Sequence, residues 1–152
     1  MSNTQPPYAP GLVSIVIPLY REVENVKPLV ERLEKSLENL GHPYELILVD
    51  DGSDDGTGKA LEALKKDHSR LRPVYHRRNY GQSAALTAGF DVARGEWIVT
   101  LDGDLQNDPA DIPAMLEIVK NAEADVVCGW RVDRKDRAAD VKIPSLMGNW
   151  LI

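Results

Sequence analysis

Apolar residues in this chain come as short unbroken runs, separated by stretches in which they recur every three or four positions. The run V-S-I-V-I-P (13–18) is mostly β-branched and closed by proline, which predicts a buried strand. From Val26, the positions Leu29, Val30, Leu33, Leu37 and Leu40 follow helical spacing, and Gly41 stops that helix. Y-E-L-I-L-V-D (44–50) predicts a second strand. The Gly/Asp turn D-G-S-D-D-G-T then feeds a helix through Ala60, Leu61 and Leu64. R-P-V-Y-H (72–76) reads as a short third strand, and residues 81–94 as a helix of small side chains ended by Gly95. E-W-I-V-T-L-D (96–102) reads as strand four, 109–120 as helix four and A-D-V-V-C-G-W (124–130) as strand five.

Strand and helix alternate, and the strands are continuous in their apolar character instead of alternating. That pattern predicts an α/β fold, a mostly parallel sheet with helices on both faces. Such sheets carry ligands beyond the carboxyl ends of their strands, where the strand order reverses. At the end of strand one come Leu19-Tyr20-Arg21-Glu22, of strand two Asp50-Asp51-Gly52-Ser53, of strand four T-L-D-G-D-L-Q-N-D-P and of strand five Gly129-Trp130-Arg131. Polar chemistry therefore gathers at one edge of the sheet.

Composition adds bounds. At 152 residues the chain has room for about one domain, with 43% apolar and 28% charged residues. The formal net charge of -6 argues against a nucleic-acid partner, which needs clustered Lys and Arg. A single cysteine, Cys128, excludes an internal disulfide framework and reads as a small buried core residue. Residues 1–11 read as a disordered lead-in, with the folded domain over 12–152. Neither a signal peptide nor the roughly 18 to 20 apolar residues of a membrane span is visible, so the chain as given reads as soluble and cytoplasmic. Its ending, M-G-N-W-L-I, reads as a domain cut short. His42, His68 and His76 share no ligand spacing and read as surface or loop residues, and Trp97 and Trp130 as packing.

The strand-end carboxylates carry the chemistry. Asp102 and Asp104 flank a glycine that lets the backbone turn and aim both side chains at one point. Hard divalent ions such as Mg²⁺ or Mn²⁺ take such oxygens together with substrate phosphates, and Gln106 lies within reach of the same set. The competing structural reading is an Asx turn followed by a helix cap. It suits Asp108, which precedes Pro109, better than the Asp102–Asp104 pair, because a cap needs one oxygen. A phospho-accepting receiver domain is a poor match, since its acidic pair follows the first strand and a lysine follows the fifth. No G-x-G-x-x-G follows strand one, and no P-loop is present.

Five stretches in order, I-V-I-P-L-Y-R-E, L-V-D-D-G-S-D-D-G-T, R-N-Y-G-Q-S-A-A-L-T-A-G, L-D-G-D-L-Q-N-D-P and C-G-W-R-V-D-R-K-D, resemble the family 2 glycosyltransferases of the GT-A fold. The likeness is to the polyprenol-phosphate, dolichol-phosphate mannosyltransferase-like branch and covers roughly residues 13 to 150. It implies a Rossmann-like nucleotide-sugar-binding catalytic domain. Pro18, Tyr20, Glu22 and Asp51 would line the nucleoside pocket, with Asp51 binding the base. Asn79, Gly81 and Gln82 would lie beside the donor. Asp102, Asp104 and Gln106 would hold Mg²⁺ or Mn²⁺ and, through it, the diphosphate.

Asp104 and Arg131 would serve the chemistry, and Arg134, Lys142 and Ser145 would face an acceptor phosphate. Lys142 stands where this branch commonly has arginine, a departure that bears on the acceptor side alone. The implied reaction is inverting transfer of a sugar from a UDP- or GDP-sugar to a polyprenyl (dolichyl or undecaprenyl) phosphate. It would run at the inner face of a membrane reached through parts beyond this chain. The alternatives are transfer to a saccharide hydroxyl and an inactive nucleotide-sugar-binding module.

Overall fold

The computed structural model describes residues 8–121 and 124–129. Strand β1 (Ala9–Leu19) leads to helix α1 (Val23–Leu37), β2 (Tyr44–Asp50), α2 (Thr57–Leu64), β3 (Leu71–Tyr75), α3 (Gln82–Val92) and β4 (Gly95–Thr100). A single 3₁₀ turn, Pro109–Asp111, then runs into α4 (Ile112–Lys120). The sheet and its cleft lie in the first of two compact units, Met1–Leu116. In the second unit, Glu117–Ile152, the end of α4 carries a Lys120–Glu117 ion pair at 2.7 Å.

All ladders are parallel and the strand order is β3-β2-β1-β4. The chain moves outward from β1 through β2 to β3 and then returns to β1's other side as β4. The order therefore reverses between β1 and β4, which is where a ligand site is expected.

Alternate residues of the central strand serve opposite faces. Ile15, Ile17 and Leu19 pack with α1's buried Val26, Leu29, Val30, Leu33 and Leu37, and with Leu61 and Ile112. Val16, with Ile47 and Val49, faces α3 through Ala85. Small residues on α3 let it approach closely, for a Cβ on Gly89 would lie 2.3 Å from Val16 Cγ1. Helices thus cover both faces, as the continuous apolar strands predict.

At the opposite edge from the site, a polar clasp joins the starts of the strands. Glu45 is 7% exposed, and its carboxylate accepts the Ser14 hydroxyl at 2.7 Å, the Arg94 N–H at 2.9 Å and the Arg72 guanidinium. Burial opposes its charged form, but these donors outweigh burial and hold the carboxyl below its ordinary range. Both oxygens of the Glu45 carboxylate are bonded, which is the condition for a buried charge to be tolerated.

Three expectations need correction. Pairing of β1 with β4 begins at Ala9, so residues 9–11 of the expected lead-in belong to the sheet; a register shift between Ala9 and Val13 accommodates Gly11 at φ +74°. Residues 124–129, expected to form strand five, are irregular, with Val126 76% exposed and Cys128 exposed instead of buried. β-branched residues make a strand only where a neighbouring ladder receives their backbone groups, and a run of apolar letters does not supply that neighbour. Trp130 lies outside the described residues.

Candidate active site

A cleft of about 350 Å³ opens at the carboxyl ends of β1, β2 and β4. Pro18, Tyr20 and Glu22 line it from the β1 side, and Asp51 from the end of β2. Asn79 and Gln82 enter from the segment leading into α3, with Ala85 beneath them. Asp102 and Asp104 close the β4 side. Five positions that strand order gathers (Tyr20, Glu22, Asp51, Asp102 and Asp104) and three that the family resemblance implies (Pro18, Asn79 and Gln82) therefore surround one space.

The two loops after β1 and β2 fix each other. Arg21 sits in the left-handed region at φ +58°, a strained conformation for a residue with a side chain. It is held there by its N–H to the Ser53 hydroxyl at 2.9 Å and by a two-pronged contact with Asp54, both bonds 2.8 Å. The Glu22 N–H donates to the Thr57 hydroxyl and the Val23 N–H to Asp55, at 2.9 and 3.1 Å. The D-G-S-D-D-G-T turn thus templates the rim that carries Tyr20 and Glu22. Gly52 is required for a further close approach, because a Cβ there would lie 2.3 Å from the Arg78 carbonyl carbon.

Asp51 is 3% exposed and accepts three hydrogen bonds. His76 Nδ1 donates at 2.7 Å, the Tyr80 N–H at 3.0 Å and the Gly81 N–H at 2.7 Å. Burial works against its charge, yet the Tyr80, His76 and Gly81 donors together keep its carboxyl below the ordinary range. Asp51 is thereby the anchor of the 80–82 loop as well as part of the cleft wall. The loop delivers Gln82, whose amide nitrogen donates to Asp102 Oδ1 at 3.1 Å.

The D-x-D stretch behaves differently from a flexible turn. Gly103 is buried, and a Cβ on it would lie 2.3 Å from Leu19 Cδ2, so glycine serves close approach to β1. The left-handed residue is Leu105, at φ +63°. Asp104 Oδ1 accepts the Gln106 N–H at 3.0 Å in an Asx turn. Asp108 caps the following turn by accepting the Ala110 N–H at 3.1 Å, as its position before Pro109 implies. Gln106 does not line the cleft, whereas Asp102 and Asp104 do. Arg131, Arg134, Lys142 and Ser145 lie outside the described residues.

Four carboxylates, Glu22, Asp51, Asp102 and Asp104, face this space, and no basic side chain lines it among the described residues. Glu22 is engaged by the Asn25 amide at 2.6 Å, and Asp51 by its three donors. The second oxygens of Asp102 and Asp104 have no hydrogen-bond donor among the described residues. A diphosphate would be repelled from such a wall unless a cation came between them. Among the described residues no three His, Cys, Asp or Glu side chains converge as a metal cage, so Asp102 and Asp104 suit a hard divalent ion only with substrate oxygens completing its shell.

Residues 14–150 match the family described as glycosyl transferase family 2. The chain belongs to that family. It is 48% identical over 141 residues to the dodecaprenyl-phosphate galacturonate synthase of Rhizobium johnstonii, covering 92% of this chain and 42% of that protein. It is 44% identical over 133 residues to the undecaprenyl-phosphate 4-deoxy-4-formamido-L-arabinose transferase of Pseudomonas aeruginosa, covering 87% and 39%. The chain thus spans about two-fifths of the length of these relatives.

Among solved structures, the fold is similar to that of the mannosyltransferase PcManGT from Pyrobaculum calidifontis in complex with GDP-Man and Mn²⁺. The TM-score is 0.60 at 24% identity, over 76% of this chain and 34% of that one. It is also similar to S. aureus TarS 1-349 in complex with UDP-GlcNAc, with TM-score 0.62 and 21% identity over 80% and 37%. The architecture is therefore the GT-A α/β fold of family 2.

Two contributors to the site were not visible as such in the sequence. His76, expected as a surface or loop residue with no role in the site, is the first residue after β3 and holds Asp51. Its position at the carboxyl end of a parallel strand, shared with the other cleft residues, was the signal that could have found it. Arg32 reaches the D-x-D loop from the middle of α1, and helical periodicity marks it only as an outward-facing charge.

Proposed function

We propose that this chain is the donor-binding part of an inverting glycosyltransferase that moves a sugar from a UDP- or GDP-sugar to a polyprenyl phosphate. The observation that carries the donor side is the cleft in which Asp102 and Asp104 each present an oxygen that receives no hydrogen bond from the described residues, beside the Asp51-anchored Asn79–Gln82 segment. The acceptor class is supported by relatives at 44 to 48% identity, whose names specify dodecaprenyl and undecaprenyl phosphate.

A divalent ion bound by Asp102 and Asp104 would supply a positive centre for the diphosphate leaving group. The protein's own residues do the positioning. Asp51, through the Tyr80 and Gly81 N–H groups, fixes the loop that bounds the donor, and Tyr20 and Glu22 form the rim beside Asp51. In the transfer, an acceptor phosphate oxygen forms the bond to the anomeric carbon from the face opposite the leaving group. The carbon–oxygen bond to the donor diphosphate breaks, and the nucleoside diphosphate departs with its electron pair. A lipid phosphate is already anionic at pH 7, so no carboxylate base is needed, whereas a sugar hydroxyl would require one. Arg131 is proposed to neutralise phosphate charge, and Arg134, Lys142 and Ser145 to face the acceptor. The reaction is proposed to run at the inner face of a membrane. Among the described residues no helix is long and apolar enough to cross one.

Isothermal titration with UDP- and GDP-sugars, with and without Mn²⁺, tests the donor side. The expected result is binding that requires the ion; equal binding in chelator rejects the metal assignment. Incubation with radiolabelled donor and either undecaprenyl phosphate or an oligosaccharide tests the acceptor. Label in the lipid phase is expected, and label in the oligosaccharide alone would transfer the assignment to a hydroxyl acceptor.

A further inference from the structure

The metal-binding stretch proposed above is held in place from α1, a helix none of whose residues lines the cleft. Leu105 directly follows Asp104 and occupies the left-handed region at φ +63°. A branched side chain does not keep that conformation by itself; it persists only where the surroundings impose it. Here the surroundings are specific. Leu105 packs against the main core, and its carbonyl accepts Arg32 Nη1 at 3.2 Å. The other arm of the same guanidinium, Nη2, lies 3.3 Å from Asp108 Oδ1, the oxygen that caps the Pro109 turn.

One planar fork therefore grips both ends of the Leu105–Asp108 segment, a geometry that guanidinium offers and an ammonium does not. On the near side of Asp104, Gly103 is pressed against Leu19 and Pro18. Asp104 is thus fixed on one flank by a glycine contact to β1 and on the other by Arg32 from α1.

We propose that Arg32 is a positioning residue for the divalent-ion site: it imposes the left-handed turn at Leu105 that directs the Asp104 carboxylate into the cleft. It touches neither donor nor ion. The inference rests on the metal reading of Asp102 and Asp104. Stability alone gives no reason for this contact, because the Arg32 and Asp108 side chains are 42% and 56% exposed and such pairs add little.

The test uses the full chain and Arg32→Met, which keeps the apolar stem, beside Arg32→Lys and a control, Lys27→Met. The control removes the same charge from the same helix, where Lys27 pairs with Glu31 at 3.8 Å. The first readout needs no ligand. Hydrogen exchange in metal-free protein should quicken severalfold at the Gln106 and Ala110 amides, which are bonded to Asp104 and Asp108. The rest of the sheet should be unchanged and the melting temperature within a few degrees of the parent. The second is the Mn²⁺ concentration for half-maximal nucleotide-sugar binding, expected to rise on the order of tenfold, as for other groups that orient metal ligands. Arg32→Lys should recover part of both effects, and Lys27→Met should show neither.

Unchanged exchange in Arg32→Met overturns the grip itself. Faster exchange with an unchanged Mn²⁺ requirement overturns the positioning role. A parent protein that binds nucleotide-sugar without regard to Mn²⁺ rejects the metal reading, and the positioning role with it, while the exchange data still report separately on the grip.

Discussion

His76 Nδ1 stands 2.7 Å from Asp51 Oδ1, joining the residue after β3 to the residue after β2 directly beneath the cleft. The imidazole also meets the Tyr80 ring edge-on, with centroids 5.3 Å apart. With Asp51 charged, Nδ1 is the donor, and the bond is a charge-assisted one between a carboxylate 4% exposed and a ring 17% exposed. His76→Ala should therefore loosen the Tyr80–Gly81–Gln82 loop without unfolding the sheet. The expected outcome is a donor KM raised by roughly tenfold, the value of one such bond, with a smaller change in kcat. His76→Gln, which can still donate, should recover part of the loss. Steady-state kinetics on the three proteins check it.

Gly52 offers a harsher test of the same neighbourhood. Its φ of +70° disfavours any side chain, and a Cβ would come within 2.3 to 2.7 Å of the Arg78 and Asn79 backbone. Backbone cannot step aside as the end of a side chain can. Gly52→Ala should therefore separate the two loops and abolish measurable donor binding, with a loss of about 2 kcal/mol or more in stability. Gly41→Ala makes a useful comparison. It shares a positive φ of +73° but meets nothing within 4 Å, so it should cost only about 1 kcal/mol. Thermal melts rank the two.

How much of this could be read from letters depends on which interactions are local. β1 and β2 were legible because each is a continuous apolar run buried on both faces, whereas β3 and the alternately exposed β4 were legible from short apolar stretches between turn signals. Asp51, Asp102 and Asp104 were legible because a parallel sheet places strand ends together. Asp108 was legible as a cap because Pro109 follows it. His76 and Arg32 were not, since each acts through a partner 25 or more positions away, Asp51 and Leu105, and no local pattern encodes that pairing. Strand five failed for the same reason in reverse: V-V-C has the composition of a strand, but a strand's existence depends on a ladder partner elsewhere.

Acid should weaken the protein through its depressed carboxylates. Glu45 and Asp51 both have folded pKa values below their ordinary ones, so folding favours the deprotonated form. Their contribution is fully present above the unfolded carboxylate range, near pH 4, and is lost as pH falls through the lower folded values. Melting temperature should thus hold from about pH 7 to 5 and fall steeply below about pH 4. Asp51→Asn should start lower at neutral pH and show a shallower decline on acidification. Parallel curves for the two proteins would remove Asp51 as a contributor.

The clasp at the far edge of the sheet separates stability from function. Arg72 donates to Glu45 and to the Val92 carbonyl, the latter at 3.0 Å, and so ties β3, β2 and the end of α3 together. Removing one partner of a buried ion pair leaves the other charge buried without its counterion, which costs more than the pair itself contributes. Arg72 is 30% exposed, so water reaches part of the vacated space and moderates the loss. Arg72→Met should cost roughly 2 kcal/mol, and the double variant Arg72→Met, Glu45→Gln should recover a good part of it, because the stranded charge is gone. Urea titrations measure both. Donor binding, normalised to folded protein, should be unchanged in either variant, since the clasp lies at the amino ends of the strands and the cleft at their carboxyl ends. A donor-binding defect that persists in fully folded Arg72→Met would show that the two edges of the sheet are energetically coupled through β2.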